Sequence, residues 1–88
     1  MEFKFIKNHV NILLERGLLN NSVKVTIDFE DHIEFEGLIW ELWQTVGKET
    51  TIYYDQDIIK FKCNSFKVAD DRIIFEGTEY NGWWASNS

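Results

Sequence analysis

The chain has 88 residues, of which 44% are hydrophobic and 16% aromatic, and its formal net charge is −6. This composition excludes disorder of the low-hydrophobicity kind, and a chain of this length encloses one hydrophobic core, so we expect a single domain over residues 1–88. The pI near 4.7 opposes phosphate binding by the surface as a whole. Nucleic-acid binding would therefore need a local basic patch.

The first predicted element is a helix over residues 6–16. Apolar side chains repeat at i, i+4, i+7 and i+8 from Ile6, and Gly17 follows the last turn. Leu18 and Leu19 are expected to continue into the core, before a turn of small polar residues.

The apolar period then changes from 3.6 to 2. Residues 23–29 alternate apolar and polar side chains, as a half-buried strand does, and residues 33–39 repeat the alternation after a turn. The two predicted strands form a hairpin with carboxylates on its solvent face. Gly37 interrupts the second strand and predicts a bulge. Residues 38–46 fit either a bent strand or a short helical turn, and the sequence leaves both open.

A second hairpin is predicted from the β-branched and aromatic stretch 50–54 and the alternating stretch 58–63, with a bulge at 64–65. A last strand follows near 72–76. Beyond it, the Asn81-Gly82 pair is a strong turn signal. The β-meander would thus extend over about residues 23–84, with Trp83 and Trp84 near its end and the tail 85–88 frayed.

The predicted fold class is therefore α+β. An N-terminal helix precedes about five antiparallel strands, arranged as a bent sheet or as a small barrel of the Sm or SH3 type.

A family resemblance supports the barrel form of this prediction. The run from Asn11 to Ile39 combines a leucine-bearing helix, the pattern Val23-x-Val25-x-Ile27 and the pattern Ile33-x-Phe35-x-Gly37-x-Ile39. It resembles the first half of an Sm/Hfq-like small barrel and covers about a third of the chain. The resemblance implies architecture only, because Glu30-Asp31 replaces the usual glycine-containing turn and the second half shows no RNA-binding motif of that family.

Two short stretches of the chain are similar to each other. Asp31-His-Ile-Glu-Phe-Glu-Gly at 31–37 aligns with Asp71-Arg-Ile-Ile-Phe-Glu-Gly at 71–77. Solenoid repeats need about three copies to bury a continuous core. We interpret the similarity as two hairpins that solve the same packing problem, with gene duplication as the alternative.

The chain lacks the usual signals of secretion, metal binding and membrane insertion. Cys63 is the only cysteine, so it has no internal disulfide partner, and we expect it to be a small buried apolar residue. No Cys/His spacing fits zinc, and no apolar run approaches about 18 residues. We expect a cytoplasmic protein with no membrane contact, no metal and no cofactor.

Catalytic chemistry has one candidate. Glu34 and Glu36 lie two residues apart on the predicted strand face, and a close carboxylate pair can act as general acid and base when burial raises one pKa. A solvated acidic face is the simpler interpretation. His9 and His32 lie in no ligand motif and are expected at the surface or packed against the helix. We therefore expect no enzymatic activity.

The lysines of the second half allow two interpretations. Lys60 and Lys62 could pair with Glu34 and Glu36 across neighbouring strands, each pair contributing about 0.2–1 kcal/mol. Alternatively, a basic strip with aromatic side chains for base stacking could bind single-stranded nucleic acid. The candidate residues for that function are Lys60, Lys62, Lys67 and Tyr53.

The most prominent feature is the stretch 28–43, called the acidic segment below. It contains six carboxylates and two tryptophans, and no Lys or Arg occurs between Lys24 and Lys48. Acidic rows beside aromatic side chains suit a protein–protein interface with a basic partner. The candidate partner-binding residues are Asp28, Glu30, Asp31, Glu34, Glu36, Trp40, Glu41 and Trp43.

The leading functional hypothesis is a non-enzymatic binding module that engages a basic surface on another protein. An inhibitor of a nucleic-acid-handling enzyme would fit, acting as a nucleic-acid mimic, as phage anti-restriction and anti-CRISPR proteins or toxin-immunity proteins do. The alternative hypothesis is an Sm-like oligomer that binds single-stranded RNA. A homo-oligomer with a purely structural role is the third.

Overall fold

The computed structural model describes residues 1–17 and 21–79. These ranges contain six strands, one α-helix and one short 3₁₀ turn. In chain order they are β1 (Glu2–Phe5), β2 (Val10–Arg16), β3 (Ser22–Phe29), α1 (His32–Ile39), the 3₁₀ turn (Leu42–Gln44), β4 (Glu49–Tyr54), β5 (Asp57–Ala69) and β6 (Arg72–Glu79).

All six strands belong to one sheet with the order β1-β4-β5-β6-β3-β2. β1 and β4 pair in parallel, with Phe3 beside Ile52. The other neighbours are antiparallel, and the longest ladder joins β5 to β6. β1 and β2 are consecutive in the chain, yet they lie at opposite ends of the strand order.

The sheet is strongly curved. The rings of Phe3 and Phe75 lie 6.1 Å apart although β1 and β6 are three strand positions apart, and those of Phe5 and Phe29 lie 5.8 Å apart across four. Three positions in a flat sheet span about 14 Å. The inner face therefore folds over a core of phenylalanine and β-branched side chains, with Phe61 and Phe75 fully buried.

The segment between β3 and β4 covers part of this inner face. Phe35 of α1 packs its ring 5.7 Å from Phe29. Leu42 and Thr45 are fully buried, and the Thr45 hydroxyl donates to the Leu42 carbonyl at 2.7 Å. Backbone hydrogen bonds from Gly47 N to Cys63 O and from Cys63 N to Lys48 O join the end of the segment to β5.

The predicted N-terminal helix over 6–16 is wrong. The chain forms β1, turns with a hydrogen bond from His9 N to Ile6 O, and continues as β2. Val10, Ile12 and Leu14 also alternate with polar or exposed side chains, so the stretch fits a strand as well as a helix. Pairing of all seven β2 residues with β3 decides in favour of the strand.

The predicted second strand over 33–39 is also wrong, and with it the acidic hairpin. These residues form α1, because the Asp31 carboxylate accepts hydrogen bonds from Ile33 N and Glu34 N at 2.9 and 3.3 Å and caps the helix. Gly37 therefore lies in a helix, not at a strand bulge. The stretch 38–46, left open by the sequence, contains the end of α1 and the 3₁₀ turn.

The resemblance to an Sm-like barrel is lost with these two corrections. That comparison rested on a helix near Asn11 and on a strand from Ile33 to Ile39. The first is a strand and the second is a helix. Over the described residues, the fold is one curved six-stranded sheet with a single α-helix that is not N-terminal.

The predicted second hairpin and its bulge are confirmed. β4 and β5 form the expected hairpin, and the register shifts between Cys63 and Ser65, where a bulge was predicted. Gly77 lies opposite this bulge. A Cβ there would lie 2.1 Å from the Lys62 carbonyl oxygen, so only glycine fits without movement of the backbone.

The similar stretches 31–37 and 71–77 adopt different structures, so they are not two equivalent hairpins. The first caps and begins α1, whereas the second begins with a turn residue, Asp71, at φ 54° and continues as β6.

Several sequence predictions fall outside the described residues. They concern Leu18, Leu19, the Asn81-Gly82 turn, Trp83, Trp84 and the tail 85–88. Within residues 1–17 and 21–79, no helix has the length and apolar composition needed to cross a bilayer.

Candidate protein-binding surface

The acidic segment exposes three large apolar side chains on its helical part. Ile33 is 80% exposed, Trp40 78% and Trp43 72%. Ile33 and Trp40 are seven residues apart, which is two helical turns or about 10 Å along the axis, so they lie on the same face of α1. We call Ile33, Trp40 and Trp43 the apolar row.

A shallow depression adjoins the end of the apolar row. It is lined by Met1, Trp43, Gln44 and Lys48 and has a volume of about 470 Å³. Single exposed apolar residues are common on protein surfaces, but several on one short segment, beside a concave site, are typical of a contact surface.

The carboxylates of the acidic segment have partners that the sequence analysis did not predict. Asp28 accepts a hydrogen bond from Arg72 Nε at 2.5 Å, across the β3–β6 ladder. Asp31 is the helix cap. Glu34 contacts His9 Nδ1 at 3.3 Å. Glu36 contacts His32 Nε2 at 2.9 Å, one helical turn away.

His32 links α1 to the β5–β6 turn. Its Nδ1 lies 2.5 Å from Asp71 Oδ1, and its Nε2 contacts Glu36. The hydrogen bond with Asp71 is the main cause that raises the pKa of His32 above 6.5, and Glu36 adds to it against a smaller opposing effect of burial. Carboxylates on both ring nitrogens favour the doubly protonated imidazolium.

Two carboxylates of the acidic segment face solvent without such contacts. Glu30 and Glu41 are exposed, and neither forms a side-chain hydrogen bond or ion pair within the part of the chain that the structure describes. Together with the half-exposed Glu36, they border the apolar row with negative charge. The surface is therefore an apolar row on an acidic background.

The predicted pairing of Lys60 and Lys62 with Glu34 and Glu36 is wrong. The lysines project from the outer face of β5, opposite Thr51 and Glu49 of β4, whereas α1 lies over the inner face. Residues of the acidic segment are paired by Arg72, His9 and His32 instead. The predicted hairpin placed Glu34 and Glu36 on the outer face of the sheet, whereas both residues belong to α1.

The candidate nucleic-acid residues share this outer face. Lys67 lies 3.5 Å from Glu76 Oε1, and Tyr53 has Lys4 Nζ over its ring at 5.9 Å. Lys67 and Tyr53 thus already have partners of their own.

The sequence offered Glu34 and Glu36 as a carboxylate pair for acid–base chemistry. The Glu34 and Glu36 carboxylates contact different histidines rather than each other. Cys63 is fully buried, as predicted, and burial raises its pKa, which makes the thiol a poor nucleophile. Across residues 1–17 and 21–79, no group of three or more His, Cys, Asp or Glu side chains could hold a metal ion.

A second groove, of about 550 Å³, lies near the end of β2 and the start of β3, and none of the candidate residues lines it. Its lining mixes charges of both signs, including Glu15, Lys24 and Glu76.

Comparison of the chain with protein families, with curated proteins and with solved structures finds no match.

Proposed function

We propose that the protein is a non-enzymatic binding module whose acidic segment engages a basic surface on another protein. The observation that carries the proposal is the apolar row, because Ile33, Trp40 and Trp43 are each more than 70% exposed within a stretch that has no Lys or Arg. Burial of these side chains requires a partner with apolar contacts of its own.

Physical chemistry assigns different tasks to the two parts of this surface. Tryptophan is enriched among the residues that contribute most binding energy at protein interfaces, because its large side chain loses much water contact when buried. Carboxylates around it accelerate encounter with a basic partner and disfavour acidic ones. The partner surface should therefore be basic with an apolar centre.

A nucleic-acid channel of an enzyme is one surface with this chemistry. An acidic module that occupies such a channel would act as a nucleic-acid mimic and inhibit the enzyme. This is the finer form of the proposal. The net charge of −6 supports it, since the approach of a basic channel would be favoured over long distances at low salt.

The proposal can be tested with a defined probe. We would titrate the protein with a synthetic amphipathic helical peptide built from leucine and lysine, and follow tryptophan fluorescence. We expect binding with a blue shift, and about tenfold weaker binding for the Glu34→Lys/Glu36→Lys variant. Trp40→Ala should also weaken binding, because the apolar contact is lost.

The charge-matched control is Glu2→Lys/Asp57→Lys, which reverses two exposed charges outside the acidic segment. It should bind the peptide nearly as tightly as the wild-type protein. Equal loss of affinity in both double variants would show that net charge alone attracts the peptide, and would overturn the proposal. Equally tight binding of a leucine–glutamate peptide of the same length would also overturn the proposal.

A further inference from the structure

β2 presents an open backbone edge. It lies at the end of the strand order and pairs only with β3 among the strands that the structure describes. The other end strand, β1, has only four residues, whereas β2 has seven. An unpaired edge of this length is a template for the addition of another strand.

Hydrogen bonding identifies which residues of β2 face the open edge. Glu30 N donates to His9 O at 2.9 Å and Gly17 N donates to Ser22 O at 2.7 Å, so odd-numbered residues exchange hydrogen bonds with β3. Antiparallel ladders alternate strictly. The backbone groups of Ile12 and Leu14 therefore point away from β3. The Val10 carbonyl, of the same parity, already accepts from the Tyr54 hydroxyl at 3.2 Å.

We propose that β2 pairs antiparallel with β2 of a second copy of this chain, around a twofold axis at Leu13, to form one continuous sheet across a homodimer. In this register Ile12 of each copy lies opposite Leu14 of the other. Each pair exchanges two hydrogen bonds. The outward-facing amide and carbonyl groups at the centre of the edge are then satisfied.

Side chains favour a second copy as the occupant and favour this register. Leu13, which is 57% exposed on the outer face, meets its own counterpart across the axis. Asn11 lies opposite Glu15, so an amide faces a carboxylate and no like charges oppose each other. A shift of the pairing by two residues in either direction still points the backbone groups of Ile12 and Leu14 at the second copy. Leu13 would then lie opposite Asn11 or opposite Glu15, and the apolar pair would be lost.

β2 also lacks the features that block such pairing. Proteins protect edge strands with proline, with a central lysine or with a bulge. The chain contains no proline, and β2 pairs with β3 in an uninterrupted register with an uncharged stretch from Val10 to Leu14. This inference does not depend on the acidic segment, and it would stand if the proposed binding function failed.

Sedimentation equilibrium of the full chain tests the inference, up to about 1 mM protein. We expect a species of twice the 10.5 kDa chain mass. Leu13→Lys places two positive charges together at the axis and should weaken dimerisation by about tenfold or more. Ile58→Lys, which changes another exposed apolar residue on the outer face, should dimerise like the wild type.

Cysteine cross-linking provides a second test that does not require Leu13→Lys to fold. Directly opposite side chains in a non-hydrogen-bonded pair have Cβ atoms about 4.5–5.5 Å apart, so Leu13→Cys should form an intermolecular disulfide rapidly under mild oxidation. Ile58→Cys should not. A 10.5 kDa species at every concentration, or equal cross-linking of the two cysteine variants, would overturn the inference.

Discussion

Two histidines, rather than two lysines, contact carboxylates of the acidic segment. His9 contacts Glu34 at 3.3 Å, and His32 contacts Glu36 at 2.9 Å and Asp71 at 2.5 Å. Histidine changes charge near neutral pH, whereas lysine does not. The link between α1 and the sheet therefore responds to pH in a way that a lysine pair would not.

The pKa of His32 predicts a pH-dependent stability. Because the folded state raises this pKa above 6.5, the contribution of His32 to the free energy of unfolding is complete below pH 6.5 and is lost as pH rises through the folded pKa. The difference in unfolding free energy between wild type and His32→Gln should be larger at about pH 5.5 than at about pH 8.5.

Urea unfolding at the two pH values measures this difference, and an NMR titration of the His32 ring measures the pKa itself. Asp71 and Glu36 are the charged groups that contact the ring, and Phe35 lies 5.9 Å from it. A difference that stays constant or grows as pH rises would contradict the assignment of an imidazolium between two carboxylates.

Two glycines in the chain should respond oppositely to alanine. A Cβ at Gly77 would lie 2.1 Å from the Lys62 carbonyl oxygen and 2.9 Å from a Phe61 ring carbon, so Gly77→Ala should lower the free energy of unfolding by about 1–3 kcal/mol or more. At Gly37 a Cβ would meet nothing within 4 Å. Because Gly37 is inside α1, Gly37→Ala should raise stability by about 0.5–1 kcal/mol.

Chemical denaturation of both variants checks this pair of predictions, with each variant serving as the control for the other. Destabilisation of similar size at both positions would show that residues 32–39 do not form the helix described. It would also show that the contact of a Cβ at residue 77 with the Lys62 carbonyl does not account for the loss of stability in Gly77→Ala.

At the level of elements, residues 31–39 contain two conflicting local signals. Ile33, Phe35, Gly37 and Ile39 alternate as a strand does, but Asp31 followed three residues later by Glu34 is also the pattern of a helix N-terminus. The cap accepts hydrogen bonds from two backbone amides, which in a strand would need carbonyl acceptors on a neighbouring strand. The sequence contained both signals, and the spatial partner Phe29, which fixes Phe35 on the inner face, was not visible in it.

The cap predicts a selective effect at position 31. Asp31→Ala removes the acceptor for two backbone amides and should cost about 1 kcal/mol, while Asp31→Asn should cost much less because asparagine caps about as well. Thermal unfolding of the two variants is the measurement. Equal losses would indicate that charge rather than hydrogen bonding accounts for the role of Asp31.

β2 illustrates the opposite error, a strand interpreted as a helix. Residues 10–16 match both periods, and the local pattern alone does not distinguish them. Seven ladder pairs with β3 decide the outcome, and these are contacts between elements. By contrast, β3, β4, β5 and β6 were predictable, since their turns and their β-branched or aromatic content agree with their alternation.

The similar stretches 31–37 and 71–77 show the limit of local sequence most directly. Both begin with aspartate and end in Phe-Glu-Gly, yet one is helical and the other extended. In the second stretch, Phe75 is fully buried, and it pairs with Val25 of β3 on one side and with Phe66 of β5 on the other. Position in the sheet, rather than the local sequence, separates them.

For the whole molecule, the curvature of the sheet separates two chemically different surfaces. The inner face encloses the phenylalanine-rich core and is partly covered by α1 and the 3₁₀ turn. The outer face carries Lys60, Lys62 and Lys67. The acidic segment and the lysines were both recognisable in the sequence, but the placement of α1 and the lysines on different sides of the sheet required the tertiary structure.

The central claim is that the apolar row within the acidic segment is the surface that binds a partner. Its most direct test is a two-dimensional amide and indole NMR titration of the protein with the leucine–lysine peptide. We predict the largest shifts at the Trp40 and Trp43 indoles and at Ile33. Largest shifts on the outer face around Lys60 and Lys62, or no localised shifts at saturation, would contradict the account.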